Sequence, residues 1–288
     1  MTFRRGARLD PTQVRDVRGR GISGGGMALA GGGGIVGLVL VVAYVLLGGD
    51  AGTLLGSGSQ VGTQFGPGEG ESLAQECQSG EDANTRDDCR IVGFVNSLQV
   101  YWTDTFTQSQ LDYEPAVTYL FSDGIQSGCG FATADVGPFY CPQDVSIYLD
   151  LTFFGDMRSR LGAQGGPLAE GYVVAHEYGH HIQDLLGDLG AGQRSSAQSV
   201  RTELQADSYA GAWVANAADT GFLNPPSRDQ VATALDAAAA VGDDRIQRRT
   251  TGQVDPESWT HGSSAQRQDW FLVGYQDGNP SECDTSGV

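Results

Sequence analysis

The reading of this chain turns on Val173-Val-Ala-His176-Glu177-Tyr-Gly-His180-His181-Ile182. It contains His-Glu-x-x-His within a helical pattern from about Leu168 to Leu186, with Gly187 placed just past the helix end. His176 and His180 are four positions apart, so on a helix their imidazoles project from one face, one turn from each other. That spacing suits two adjacent corners of a zinc tetrahedron. Glu177 can reach water on the same metal without ligating it. Val174, Ala175, Tyr178, Gly179 and His181 carry no formal charge and Ile182 is apolar, as a motif buried in a cleft requires. The five-residue pattern is weak by itself, because it recurs by chance.

Two imidazoles leave a catalytic zinc one protein ligand short, with a fourth position kept for water. A second helical pattern, from about Ala197 to Ala217, carries Glu203-Leu-Gln-Ala-Asp207. Glu203 and Asp207 share a face flanked by Val200, Leu204, Tyr209 and Trp213, and two carboxylates buried there repel unless a cation joins them. Glu203 is therefore expected as the third ligand. Asp207 is expected to accept the outer N–H of a ligand histidine. The metzincin arrangement is excluded, since residue 186 is Leu where it would need a third histidine.

His181 lies about 100° round the helix from the ligand face and is expected to pack. His261 sits in Thr260-His-Gly-Ser-Ser-Ala-Gln-Arg267, just ahead of a helix whose start is marked by a Ser263/Gln266 capping box. It reads either as a donor to the oxyanion of a tetrahedral intermediate or as a turn histidine bonded to backbone. Arg267 is a further candidate for the donor.

Around this motif the charge is uneven. The 288 residues hold 17 arginines and no lysine against 35 acids, a net charge of −18. That balance argues against nucleic acid as a partner, which needs a basic footprint. Gly is abundant (43) but has no triplet period, which excludes collagen, and 40% hydrophobic residues exclude wholesale disorder. Residues 1–26 carry six arginines against Asp10 and Asp16, whereas from residue 48 onward there are 11 arginines against 33 acids. Between them Met27 to Leu47 is uncharged and ends in a strongly apolar run, about the length of a bilayer-spanning helix. The expected organisation is an Arg-rich cytoplasmic leader (1–26), a single-pass transmembrane helix (27–47), a Gly/Ser-rich linker (48–70) and an extracytoplasmic domain (71–288). A cleaved signal peptide and a buried core helix are the competing readings of the apolar run.

Cysteines fit an oxidising compartment. Cys77 and Cys89 are twelve apart, as are Cys129 and Cys141. Two local bridges are the simplest pairing, each worth about 3 kcal/mol in the chain-entropy model; free buried thiols are the alternative. Cys283 has no evident partner. A helix is expected from about Asp87 to Phe106, short strands and loops over 125–142, and a strand at Val145–Leu151. The fold class is α+β, a zincin-like domain with the 145–151 strand at the edge of a small sheet above the His176 helix.

The stretches Glu76-Cys77 to Cys89-Arg-Ile-Val, Tyr101-Trp102, Cys129-Gly, Val136-Gly-Pro-Phe-Tyr-Cys141-Pro, Ala175-His-Glu-Tyr-Gly-His-His-Ile182, Glu203-Leu-Gln-Ala-Asp207 and Thr260-His-Gly-Ser-Ser-Ala-Gln-Arg267 together resemble the bacterial neutral zinc metallopeptidase family. The resemblance covers nearly the whole chain, including its Arg-rich leader and anchor. It implies a gluzincin-like site with one catalytic Zn2+ on His176, His180 and Glu203, and Glu177 as the base. The expected activity is metallopeptidase hydrolysis of a peptide or protein substrate, as an endopeptidase rather than an exopeptidase. An inactive, zinc-stabilised domain that binds peptides or partners is the alternative.

Overall fold

The computed structural model describes residues 1–19, 70–189 and 195–288. Its elements are β1 (Val14–Asp16), α1 (Gly70–Glu76), α2 (Gly80–Thr85), α3 (Asp87–Gln108), β2 (Val117–Phe121), β3 (Gly124–Ser127), β4 (Gly130–Thr133), β5 (Phe139–Cys141), β6 (Ser146–Asp150), α4 (Thr152–Ser159), α5 (Pro167–Leu186), α6 (Ser196–Asn216), α7 (Arg228–Ala240), α8 (Asp243–Thr250) and α9 (Ser264–Asp277). The class is mixed α+β, as expected. Four strands form one sheet in the order β1-β2-β6-β5, and β3-β4 is a separate hairpin. β1, β2 and β6 run parallel, with β5 antiparallel to β6.

The 145–151 strand is not at the edge, which corrects the sequence reading. β6 is paired on both sides and buried along its whole length. Its alternating pattern reports an apolar face but not what covers the other one. Here that second face is packed too: Tyr148 stacks between Tyr119 and Phe139, and its hydroxyl donates to Asp144. Val145 has a positive φ of 51°, unfavourable for a β-branched residue, so the strand starts one residue late. The edge strands are β1 and β5. A disulfide between Cys129 and Cys141 ties the turn of the β3-β4 hairpin to the end of β5, and Cys77 is bonded to Cys89.

The helices that carry the motifs begin and end on local chemistry. α5 starts with Pro at its first turn and stops at Gly187, whose φ of 79° is the left-handed cap expected there. Side chains from Leu168 through Gln183 are all buried, so α5 is the central helix. α6 and α9 each open with a capping box, Ser195 with Gln198 and Ser263 with Gln266. Two close backbone contacts lock these helices together. A Cβ on Gly179 would lie 2.8 Å from the Cα of Ala206, which sets α5 directly against α6. A Cβ on Gly274 of α9 would lie 1.8 Å from the Ser208 carbonyl of α6.

Residues 1–19 depart from the expected organisation. The sequence reading sets residues 1–26 apart from a domain beginning at 71, whereas residues 1–19 are built into that domain. β1 is a sheet strand. Phe3 is buried with its ring 5.1 Å from Phe94, which in turn meets Trp213 edge-on. The missing side chain of Gly93 makes this room, since a Cβ there would lie 2.3 Å from the Phe3 ring. Asn84 bonds both the N–H and the carbonyl of Phe3, and Asn96 does the same for Asp10. Arg18 pairs with Asp16 and with Asp88 of α3. Thus Arg18, which looks like part of a cytoplasmic charge cluster, is an ion-pairing residue of the fold. The expected transmembrane helix at 27–47 lies outside the described residues; among those described, no helix is long and apolar enough to cross a membrane.

Candidate metal centre

Because Gly179 lets α6 approach, the α6 carboxylates meet the α5 imidazoles. One ligand atom from each of His176, His180 and Glu203 lies within 4.8 Å of the others, and all three residues are buried. His176 Nε2 is 3.1 Å from Glu203 Oε2, and His180 Nε2 is 3.5 Å from Glu203 Oε1. Glu203 Oε1 is buried without a hydrogen-bond partner. An unpartnered buried carboxylate oxygen is costly unless a cation completes it. Two imidazole nitrogens and a carboxylate make a donor set that zinc accepts readily, so the residues fit the metal that the motif implies.

The outer nitrogen of each candidate ligand is also held. Asp207 Oδ1 is 2.9 Å from His176 Nδ1, the role expected from its position one turn after Glu203. Asp207 is fixed in turn by the Tyr172 hydroxyl at 2.6 Å and by both terminal sides of Arg267, at 2.7 and 2.9 Å. Arg267 is therefore engaged first by Asp207. Its guanidinium is buried, bonded to Asp207 and to the Val241 carbonyl, with Nη2 also 3.3 Å from the His176 ring nitrogens and 3.8 Å from Glu203 Oε2. His180 Nδ1 meets the Gln183 side-chain oxygen at 2.9 Å, while Gln183 donates to the Thr202 carbonyl and to Gln205. Nε2 of each histidine faces Glu203, and that of His176 also lies 3.3 Å from Arg267 Nη2. Burial pushes His180 down to about 4, which keeps it neutral.

Glu177 lines the same cleft with His176 and His261. Burial, reinforced by the charge of Glu203, pushes it up to about 7 against the pull of His176 and a backbone N–H from Tyr140 of β5. A carboxyl poised near neutrality can both take and return a proton. His261 stands across from it. Its Nδ1 is 3.1 Å from Asp243 Oδ1, and Asp243 Oδ2 accepts the backbone N–H groups of Thr260, His261 and Gly262. Burial opposes the charge on His261, but Glu203 and Asp243 outweigh it and hold its pKa above the ordinary histidine value. His261 is thus neither exposed nor a simple turn residue. His181 packs, as expected, between the Tyr140 hydroxyl and the Glu114 carbonyl, where burial lowers it to about 4. Cys283 is a buried free thiol that accepts a bond from Ser208, away from this cleft.

Tyr172, Gln183 and Asp243 escape the sequence reading. Gln183 is three residues after His180 and Tyr172 four before His176, so helical spacing could have found both. Asp243 comes from another helix with no local signal.

Two imidazoles and a carboxylate gathered on two packed, buried helices make a possible metal site, the kind a metallopeptidase uses. Residues 1–286 match the family described as "Putative neutral zinc metallopeptidase", and the chain belongs to it. It is 48% identical over 252 residues to the Mycobacterium tuberculosis protein named Uncharacterized protein Rv2575, covering 84% of each chain. It is 41% identical over 195 residues to Uncharacterized protein YpfJ of Escherichia coli K12, covering 65% of this chain and 67% of that one. No solved structure matches.

Proposed function

We propose that this protein is a zinc metalloendopeptidase in which Glu177 is the general base. The observation that carries the reading is the unpartnered Glu203 Oε1 facing two imidazoles whose outer nitrogens are already engaged. Zinc bound by His176, His180 and Glu203 would supply Lewis-acid activation of a water and of the scissile carbonyl. Glu177 takes the proton of the attacking water and hands it to the departing amine. His261, aimed by Asp243, donates to the developing oxyanion. β5 runs beside Glu177 at the sheet edge, where an extended chain can pair with backbone groups, and this favours cleavage within a chain.

The test uses the full chain, since residues 1–19 belong to the fold. Wild type and Glu177→Gln are each expected to bind one zinc, measured by elemental analysis, while casein cleavage falls by about 10²–10⁴-fold in the variant. Zinc binding without any Glu177-dependent cleavage would sink the peptidase reading.

Location is part of the proposal. The two disulfides favour an oxidising, extracytoplasmic setting, and the apolar run at 27–47 favours membrane attachment. Docking of residues 1–19 onto the domain and a single crossing between residues 19 and 70 exclude each other in one chain. The leader is therefore proposed on the domain's side, not in the cytoplasm.

A further inference from the structure

We propose that α5 and α6, on the side away from the candidate metal centre, form a docking groove for an extended segment of a partner protein, apolar with one basic residue, and that the groove is linked to His180. A cavity of about 680 Å³ lies there, lined by α3, the end of α5, α6 and the segment from Asn279 to Ser286. Ligand sites typically enclose about 300–1,000 Å³. Ile182 and Leu186 line the cavity, and helical geometry sets them about 140° and 180° round α5 from Glu177. On α6, Arg201 and Gln205 line it, each about 160° round the helix from Glu203. A substrate that passes Glu177 runs along the other face of these helices, so the occupant of the groove is a separate chain.

Three features select the occupant. The walls are apolar: Trp102, Phe106, Ile182 and Tyr209 are buried, whereas Leu186 and Leu111 are 43% and 49% exposed. Exposed leucines gathered on a cavity wall mark an interaction surface. The indole N–H of Trp102 is buried without an acceptor among the described residues, and an extended backbone brings carbonyl oxygens to such a donor. The third feature is charge. Asp188 and Asp284 share the lining with one cation, Arg201, whose Nε donates to the Val288 carbonyl. Burial and the charge of Asp284 raise the pKa of Asp188 despite a bond from Gln205, and no cation acts on either carboxylate among the described residues. A basic side chain relieves that repulsion, and an acidic one adds to it.

Gln205 joins the groove to the candidate metal centre. Its side-chain oxygen accepts from Gln183 Nε2 at 2.8 Å, and Gln183 Oε1 meets His180 Nδ1 at 2.9 Å. An occupant that shifts Gln205 changes how His180 is held, and with it the affinity for zinc.

The test uses the zinc-loaded full chain carrying Glu177→Gln, so that the probe is not cut. Acetyl-Leu-Leu-Arg-Leu-Leu-amide and acetyl-Leu-Leu-Glu-Leu-Leu-amide are titrated by calorimetry. The arginine peptide is expected to bind more tightly by about tenfold or more. Asp188→Asn combined with Asp284→Asn, both at exposed positions, should remove that preference. Leu186→Ser should weaken the arginine peptide by about fivefold or more. Zinc affinity, read by chelator competition, is expected to change by about fivefold or more when the arginine peptide is saturating. Gln205→Leu should abolish that change. No binding of either peptide, equal binding of both, or a preference that survives the double substitution overturns the groove. Competitive displacement of the arginine peptide by acetohydroxamate would place it in the catalytic cleft as a substrate, and this too overturns the groove. An unchanged zinc affinity overturns the link to His180. None of these readouts needs cleavage, so failure of the peptidase reading stays distinguishable from failure of the groove.

Discussion

Asp243 shows how a single carboxylate can set the chemistry of a residue that is not itself among the candidate metal ligands. It binds three consecutive backbone N–H groups and His261 Nδ1, and it helps to hold the imidazole charged. The sign of the consequence follows. His261 has a folded pKa above its ordinary value, so its charged form, and whatever stability or catalysis depends on it, is intact below about 6.5. It is lost as pH rises through the folded pKa. Asp243→Asn removes one of the two charges that raise it. The alkaline limb of kcat/KM is expected to move to lower pH, read from a pH–rate profile on a fluorogenic peptide. An unmoved limb would show that His261 does not govern it. The residues at this scale differ in legibility. His176, Glu177, His180, Glu203 and Asp207 stand out because helical spacing alone places them on shared faces. Asp243 does not, because its partner is 18 residues away across a turn.

At the scale of elements, Gly179 is the contact that aligns the two ligand helices. In an isolated helix Gly→Ala gains about 1 kcal/mol from propensity. Here the added Cβ meets Ala206 backbone at 2.8 and 3.0 Å, and a helix cannot yield as a flexible side chain can. Overpacking of this kind costs about 1–3 kcal/mol, so the net effect is expected to be destabilising. Gly179→Ala should lower the thermal midpoint and, by displacing Glu203, weaken zinc binding in a chelator competition. A midpoint that rises would show that the helices are looser than this contact requires. The five expected elements appear nearly where periodicity and caps put them: α3, β6, α5, α6 and α9. Sheet order does not. Alternation along Val145–Leu151 fixes which residues face together, but the burial of the opposite face depends on Tyr119 and Phe139, which come from other strands.

For the whole molecule, the principal consequence is the position of the N-terminus. Phe3, Asp10 and β1 are held by contacts to residues 81 to 220 positions away, including Asn84, Asn96 and Leu223. A leader so engaged is proposed to share a compartment with the domain. Epitope tags at the N-terminus and the C-terminus, probed by protease on intact cells or spheroplasts, are expected to show the same protection. An N-terminal tag shielded in the cytoplasm beside an accessible C-terminal tag would overturn this arrangement. The charge asymmetry that suggests a cytoplasmic leader has a second physical use, since Arg4 caps the carbonyls of Leu223 and Ala218 and Arg18 bridges Asp16 and Asp88. Composition cannot tell an ion pair from a topogenic charge.

The sequence by itself marked the local chemistry: the His-Glu-x-x-His helix, the carboxylate pair one helix later, the two local bridges as the simplest cysteine pairing, and the caps at Gly187 and Ser263. Each depends on interactions within about a dozen residues, and spacing encodes those directly. Only the tertiary structure decided which strands form the edges, that Arg267 is engaged by Asp207, that Asp243 orients His261, and that residues 1–19 complete the core. Those facts depend on which distant surfaces meet, and packing settles that only when the whole chain is folded.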